Sequence, residues 1–139
     1  NSLTGLTIVY AALNMPFLAW ILMGVFEGIP VDLEWAAMTD GTTAWGAFWR
    51  VVLPVSLPGL AAVGVLGFIL SWNEFLFALV LTGSKSATIP VALASLQTSN
   101  GVQIGKVSAG VVLAILPLII ASRFIQRFIV QGLTFGSVK

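Results

Sequence analysis

The residues of this chain able to do chemistry are few and fall in two places. Asp32, Glu34, Asp40 and Arg50 share one polar stretch, while Asn14, Ser71, Asn73 and Glu74 stand inside long apolar runs. The 139 residues include no His and no Cys, which removes an imidazole base, a thiol nucleophile, disulfides and Cys/His metal sites. Paired carboxylates and nucleophile–base pairs are also missing from the sequence, so an enzyme is the least favoured class and neither metal nor cofactor is expected. What these side chains can do is hydrogen-bond along a membrane path, or present a polar loop to a partner in water.

Composition says which solvent the rest of the chain meets. It is 58% hydrophobic and 8% charged, against about 25% charged in soluble domains, with a mean hydropathy of +1.05. This is the composition of an integral membrane protein. The net charge is +1 with no basic block, which argues against nucleic acid as a partner. The sequence starts at Asn1 without a basic region leading to a cleavable apolar segment. The expectation is a piece of a longer protein whose apolar runs are spans, not signals.

Three spans are expected, at about 6–26, 58–82 and 107–130. The first run is long enough to cross the ~30 Å hydrocarbon core as a helix. Asn14 and Pro16 interrupt it, either as a simple kink or as part of a pathway. The second carries Gly64, Gly67, Ser71, Glu74 and Ala78 at spacings of 3, 4, 3 and 4, one stripe suited to close helix packing. Glu74 exceeds what packing needs. An intramembrane carboxylate faces a cavity or a partner, unless it lies at headgroup level. The third span holds Pro117 and ends among Arg123 and Arg127, whose long side chains can snorkel. Residues 83–106 form a polar loop in which Pro90 can start a short helix over Val91–Leu96 before Ser99, Asn100 and Gly101 break the chain; residues 131–139 form a polar tail.

The polar loop 27–57 has a structure of its own. Gly28, Ile29 and Pro30 make a turn, and Asp32 and Glu34 favour the positive end of a short helix over Val31–Thr39. Gly41 can reverse the chain. A second short helix is expected over Thr43–Val52, stopped by Pro54 and Pro58. On it Trp45, Phe48, Trp49 and Val52 recur at i, i+3, i+4 and i+7, one helical face. That face either lies among lipid headgroups or packs partly on its own helices and partly in a partner's groove, with Arg50 among the anchors. With three spans, Arg50, Arg123, Arg127 and Lys139 fall on one side and Lys85 and Lys106 on the other, which makes the loop and the tail cytoplasmic.

The loop also resembles a known pattern. Ala36-Ala37, three residues, Gly41, nine residues, then Val51, Val52 and Leu53-Pro54 are similar to the cytoplasmic signature loop of binding-protein-dependent ABC importer permeases. Asp40-Gly41, Phe48 and Pro58 match at the same intervals. Trp35 stands at the pattern's Glu, with Glu34 one residue earlier, where sugar-importer members often carry a second acidic residue. Asn14-Met15-Pro16-Phe17, Trp72-Asn73-Glu74-Phe75, Gly132-Leu133-Thr134 and Val138-Lys139 resemble the carbohydrate branch, similar to maltose-type inner-membrane permeases.

The resemblance implies an all-α membrane fold, three helices of the type I importer permease with a cytoplasmic helix-turn-helix coupling loop. It implies a multi-pass inner-membrane subunit that pairs with a second permease, receives solute from a periplasmic binding protein, and docks a cytoplasmic ATP-binding subunit that hydrolyses the ATP. Glu34, Ala36, Ala37, Asp40, Gly41, Trp45, Phe48, Trp49, Arg50, Leu53 and Pro54 would make the coupling contact. Asn14, Ser71, Asn73 and Glu74 would line the path of a sugar or polyol. The rival readings are a gradient-driven transporter or channel working through Glu74, and a membrane scaffold that docks a partner without transport.

Overall fold

Long apolar runs in a membrane protein must satisfy their backbone within the segment, which favours helices. The computed structural model describes residues 2–98 and 101–136. Three helical stretches are long and apolar enough to cross a membrane, Leu3–Glu27, Ala44–Asn73 and Ile104–Arg123. Large apolar side chains stay uncovered along them, Trp20 at 71% and Ile8 at 64% exposure. A soluble protein does not leave so many open, and in a membrane lipid or a neighbouring subunit covers them.

The chain divides into two compact units, residues 16–66 with 124–139 and residues 1–15 with 67–123. The first holds the end of helix α1 (Leu3–Glu27), a turn, helix α2 (Val31–Thr39), helix α3 (Ala44–Ala47), a π-helical turn over Phe48–Val52 and the start of helix α4 (Leu53–Asn73). Helix α2 packs on α3 and on the π-helical turn. Ala47 and Ser56 are buried here, and Ser56 turns its hydroxyl back to the Leu53 carbonyl at 2.8 Å. The start of α4 lies close to α1. A side chain at Gly59 would collide with Val25, so its glycine permits the approach.

Here the structure departs from the sequence expectation. Pro54 and Pro58 do not stop the second short helix; helical backbone runs from Ala44 to Asn73. Pro54 cannot donate a hydrogen bond, and its ring would press on the carbonyl four residues back. The π-helical turn just before it widens the backbone, with the Leu53 N–H bonding the Phe48 carbonyl five residues back. One extra residue in the turn absorbs the proline.

The second unit holds the start of α1, the end of α4, helix α5 (Leu76–Leu81), helix α6 (Ile89–Ala94), a two-residue antiparallel ladder of β1 (Gln97–Thr98) on β2 (Gly101–Val102), and helix α7 (Ile104–Gly136) as far as Arg123. The single helix expected over Pro58–Thr82 is broken at Glu74–Phe75, for a reason given below. Helix α6 begins one residue before Pro90, because proline suits the first turn. Gly110 of α7 leaves room for Leu93 of α6, and the Trp72 indole donates to the Ala114 carbonyl at 3.2 Å, tying α4 to α7. Helix α7 starts at Ile104, ahead of Lys106, runs through Pro117 and continues to Gly136, so the expected tail is helical over most of its length. Ser99, Asn100, Val138 and Lys139 lie outside the described residues.

Candidate functional site

The polar loop is a pair of short helices fixed at every junction. Pro30 precedes α2 with extended backbone, and Asp32 and Glu34 lie in its first turn, where the helix end is positive. At the other end Thr42 N–H bonds the Ala37 carbonyl at 3.2 Å and Gly41 N–H bonds that of Met38 at 3.0 Å. This is a Schellman closure with Gly41 as the left-handed residue, φ +89°. The Thr42 hydroxyl adds a second bond to the Ala37 carbonyl, 2.7 Å. Thr43 then caps α3, accepting from the Gly46 N–H at 3.2 Å.

The aromatic rings stay together on one helical face, as the spacing predicts. Phe48 is half-buried. Its ring meets Phe26 of α1 at 6.4 Å, Trp45 at 6.2 Å and Trp49 at 5.6 Å, the last two edge-on. Trp45 and Trp49 remain 73% and 60% exposed. The face is thus packed partly on the chain's own helices, through Phe48 on Phe26, and left open at Trp45 and Trp49. On α2, Trp35 and Met38 are exposed as well. Ala36, Asp40, Arg50 and Pro54 are exposed, while Glu34, Ala37 and Leu53 are half-buried. The loop therefore presents an exposed surface of Trp, Met and charged side chains. Phe26 escaped the sequence reading, since one Phe at the end of an apolar run carries no signal of its own.

The second cluster joins α1 to the end of α4. Asn14 Nδ2 donates to Ser71 Oγ at 3.3 Å and to the Tyr10 carbonyl at 3.0 Å. Tyr10 Oη donates to Glu74 Oε2 at 2.8 Å. The Glu74 carboxylate also accepts from the backbone N–H groups of Phe77 and Ala78, at 2.8 and 3.1 Å. It thereby caps α5 and breaks the long helix, because a side chain has taken the place of backbone carbonyls. Asn14, Ser71 and Glu74 are thus brought together. Asn73 is not; it is exposed and bonds the Ile69 carbonyl of its own helix at 2.8 Å. Tyr10 was missed. Its signal is the pairing of two helical spacings, Tyr10 with Asn14 at i, i+4 and Ser71 with Glu74 at i, i+3.

Comparison with known proteins identifies the setting of these two clusters. The model of the family described as binding-protein-dependent transport system inner membrane component matches residues 1–135. The trehalose transport system permease protein SugB of Mycobacterium tuberculosis is 41% identical over 138 residues, 97% of this chain and 50% of that protein. The diacetylchitobiose uptake system permease protein DasC of Streptomyces coelicolor is 41% identical over all of this chain and 51% of its own length. The trehalose/maltose transport system permease protein MalG of Thermococcus litoralis is 38% identical, again over all of this chain and 51% of its own. The chain spans about half the length of these relatives. With three helices fit to span a membrane and a family match over nearly its whole length, the chain belongs to the family of binding-protein-dependent transport system inner membrane components.

Proposed function

We propose that this chain is the part of an ATP-driven importer's permease subunit that carries the coupling loop and a segment of the solute path. The observation that carries the reading is the loop itself. It has a Schellman turn at Gly41, a cap at Thr43 and Phe48 seated on Phe26, which together hold Trp35, Met38, Trp45 and Trp49 exposed on a stiff frame. A rigid surface with Trp and Arg anchors is what a soluble partner's cleft requires.

In this reading the partner is a cytoplasmic ATP-binding subunit, which contacts the loop through Glu34, Ala36, Ala37, Asp40, Gly41, Trp45, Phe48, Trp49, Arg50, Leu53 and Pro54. ATP hydrolysis belongs to that partner. A second permease subunit completes the path, and a periplasmic binding protein delivers the solute. The Lys and Arg distribution supports a cytoplasmic loop and C-terminus. The trehalose, maltose and diacetylchitobiose named for the relatives support a sugar as cargo. Coupling follows from differential contact. If the ATPase holds the loop differently in its two nucleotide states, ATP biases the orientation of the helices joined to it.

The test is a pull-down of the full-length permease in mild detergent, co-expressed with its neighbouring genes, as wild type and as Gly41→Trp. A soluble ATP-binding subunit should come down with the wild type and be lost with the variant. Equal recovery with both, or none with either, would remove the loop as the dock and bring the gradient-driven and scaffold readings forward.

A further inference from the structure

Helix α2 buries little of itself. Glu34 and Ala37, one turn apart, are half-buried, and every other residue of the helix is exposed. Val31, Trp35 and Met38 recur at i, i+4 and i+7, so they form one apolar stripe along the open surface. Trp35 is at its centre and is 63% exposed. Asp32 lies beside the stripe, Asp40 follows at the end of the helix, and α2 holds no Lys or Arg.

These features choose between a membrane and a protein as the cover. A helix that lies flat on a membrane carries Lys and Arg on its polar side to meet anionic lipid. The charged side chains of α2 are carboxylates, which such a surface repels. An exposed Trp flanked by acidic groups complements instead a protein surface with an apolar socket and a basic rim.

The socket itself carries no charge opposite Trp35. Glu34 is one residue away, about 100° around the helix, and half-buried. It does not return a carboxylate to the point on the surface that Trp35 holds. A cation placed there by the partner would lose water without gaining a counter-charge, which costs affinity.

We propose that Trp35 is the residue by which this permease recognises its ATP-binding subunit, seated in an uncharged apolar socket whose basic rim faces Asp32 and Asp40. The inference rests on the importer reading and deepens it, by naming the chemistry of the partner's surface and the side chain that reads it.

The experiment titrates the ATP-binding subunit recovered with the wild type onto full-length permease in nanodiscs. Trp35→Phe should stay within about 5-fold of wild type. Trp35→Ala should weaken binding about 30-fold or more, as loss of a central aromatic anchor does. Trp35→Glu should be weaker still, because its carboxylate enters the socket unpaired. Permease melting should not change, since Trp35 is exposed. Wild-type affinity should fall with added salt as the rim contacts are screened. Trp35→Ala binding as wild type, or Trp35→Phe as weak as Trp35→Ala, would overturn the socket. Trp35→Glu binding as well as or better than Trp35→Ala would overturn it too, by revealing a cation there, and salt-independent binding would overturn the basic rim. In each case the importer reading stands if Gly41→Trp still abolishes binding. If Gly41→Trp binds like wild type, or no ATP-binding subunit is recovered, that reading fails and this proposal with it.

Discussion

Gly41 gives the sharpest test of whether the loop works as a rigid frame. Its φ of +89° lies in the left-handed region, and a Cβ built there meets nothing within 4 Å. The cost of a side chain at this position is therefore backbone strain without steric collision, about 1–2 kcal/mol for an ordinary L-residue. Relative to the strained turn, other turn geometries then gain a factor of roughly 5–30 in population, and each of them re-aims α2 against α3. Asn tolerates this region, so the expected order of ATPase-subunit affinity is Gly41 wild type, then Gly41→Asn, then Gly41→Ala, with Gly41→Val weakest. The assay is titration of the purified ATP-binding subunit onto full-length permease in nanodiscs. Thermal stability is followed in parallel, since the spans lie outside the turn and should melt nearly unchanged. Gly41→Ala binding as well as wild type would refute the frame argument. Gly41→Asn as poor as Gly41→Val would refute the conformational mechanism and point to a surface that tolerates no side chain at all.

Other perturbations follow from the same contacts. Phe48→Ala removes a ring that touches Phe26, Trp45 and Trp49; the loss should be on the order of 2 kcal/mol, and sugar-stimulated ATPase activity of the reconstituted importer should fall while basal hydrolysis persists. Gly59→Ala places a methyl on Val25 and should destabilise by about 1–3 kcal/mol, with Val25→Ala in the same chain restoring much of it in a double-mutant cycle of detergent melting temperatures. Glu74→Ala frees the Phe77 and Ala78 N–H groups, so α4 and α5 should join; backbone hydrogen exchange should slow at residues 77 and 78, whereas Tyr10→Phe, which leaves both bonds in place, should change it far less.

What the sequence made legible follows from how local each cause is. Helix α2 and its closure at Gly41 were readable because Pro30, Asp32, Glu34 and Gly41 act on backbone within a turn of themselves. The spans were readable because hydropathy sums over many residues. The course through Pro54 was not, because a proline reads as a stop unless the preceding turn widens, and the five-residue hydrogen bond at Phe48 leaves no compositional trace. The aromatic face was readable from its helical spacing, but the ring that Phe48 turns toward was not, because Phe26 lies on another helix. Asn14, Ser71 and Glu74 were picked out singly as polar groups in apolar runs. Their assembly, and the part of Tyr10 in it, needed the pairing of two helices 57 to 64 residues apart in sequence, which composition cannot show.

The loop is fastened in a way that bears on how it moves. Phe48 sits at the start of the π-helical turn and meets Phe26 near the end of α1, while Val25 of α1 fits against Gly59 of α4. The helix entering the loop and the helix leaving it are therefore held to each other on both sides of the π-helical turn. A partner that displaces α2 cannot swing one of these helix ends alone without breaking either the ring contact or the glycine contact. The π-helical turn runs from the first of those contacts toward the second. A displacement of α2 that keeps both contacts must carry these ends of α1 and α4 together. Such fastening is what the proposed passage of a nucleotide-driven displacement to the spanning helices requires.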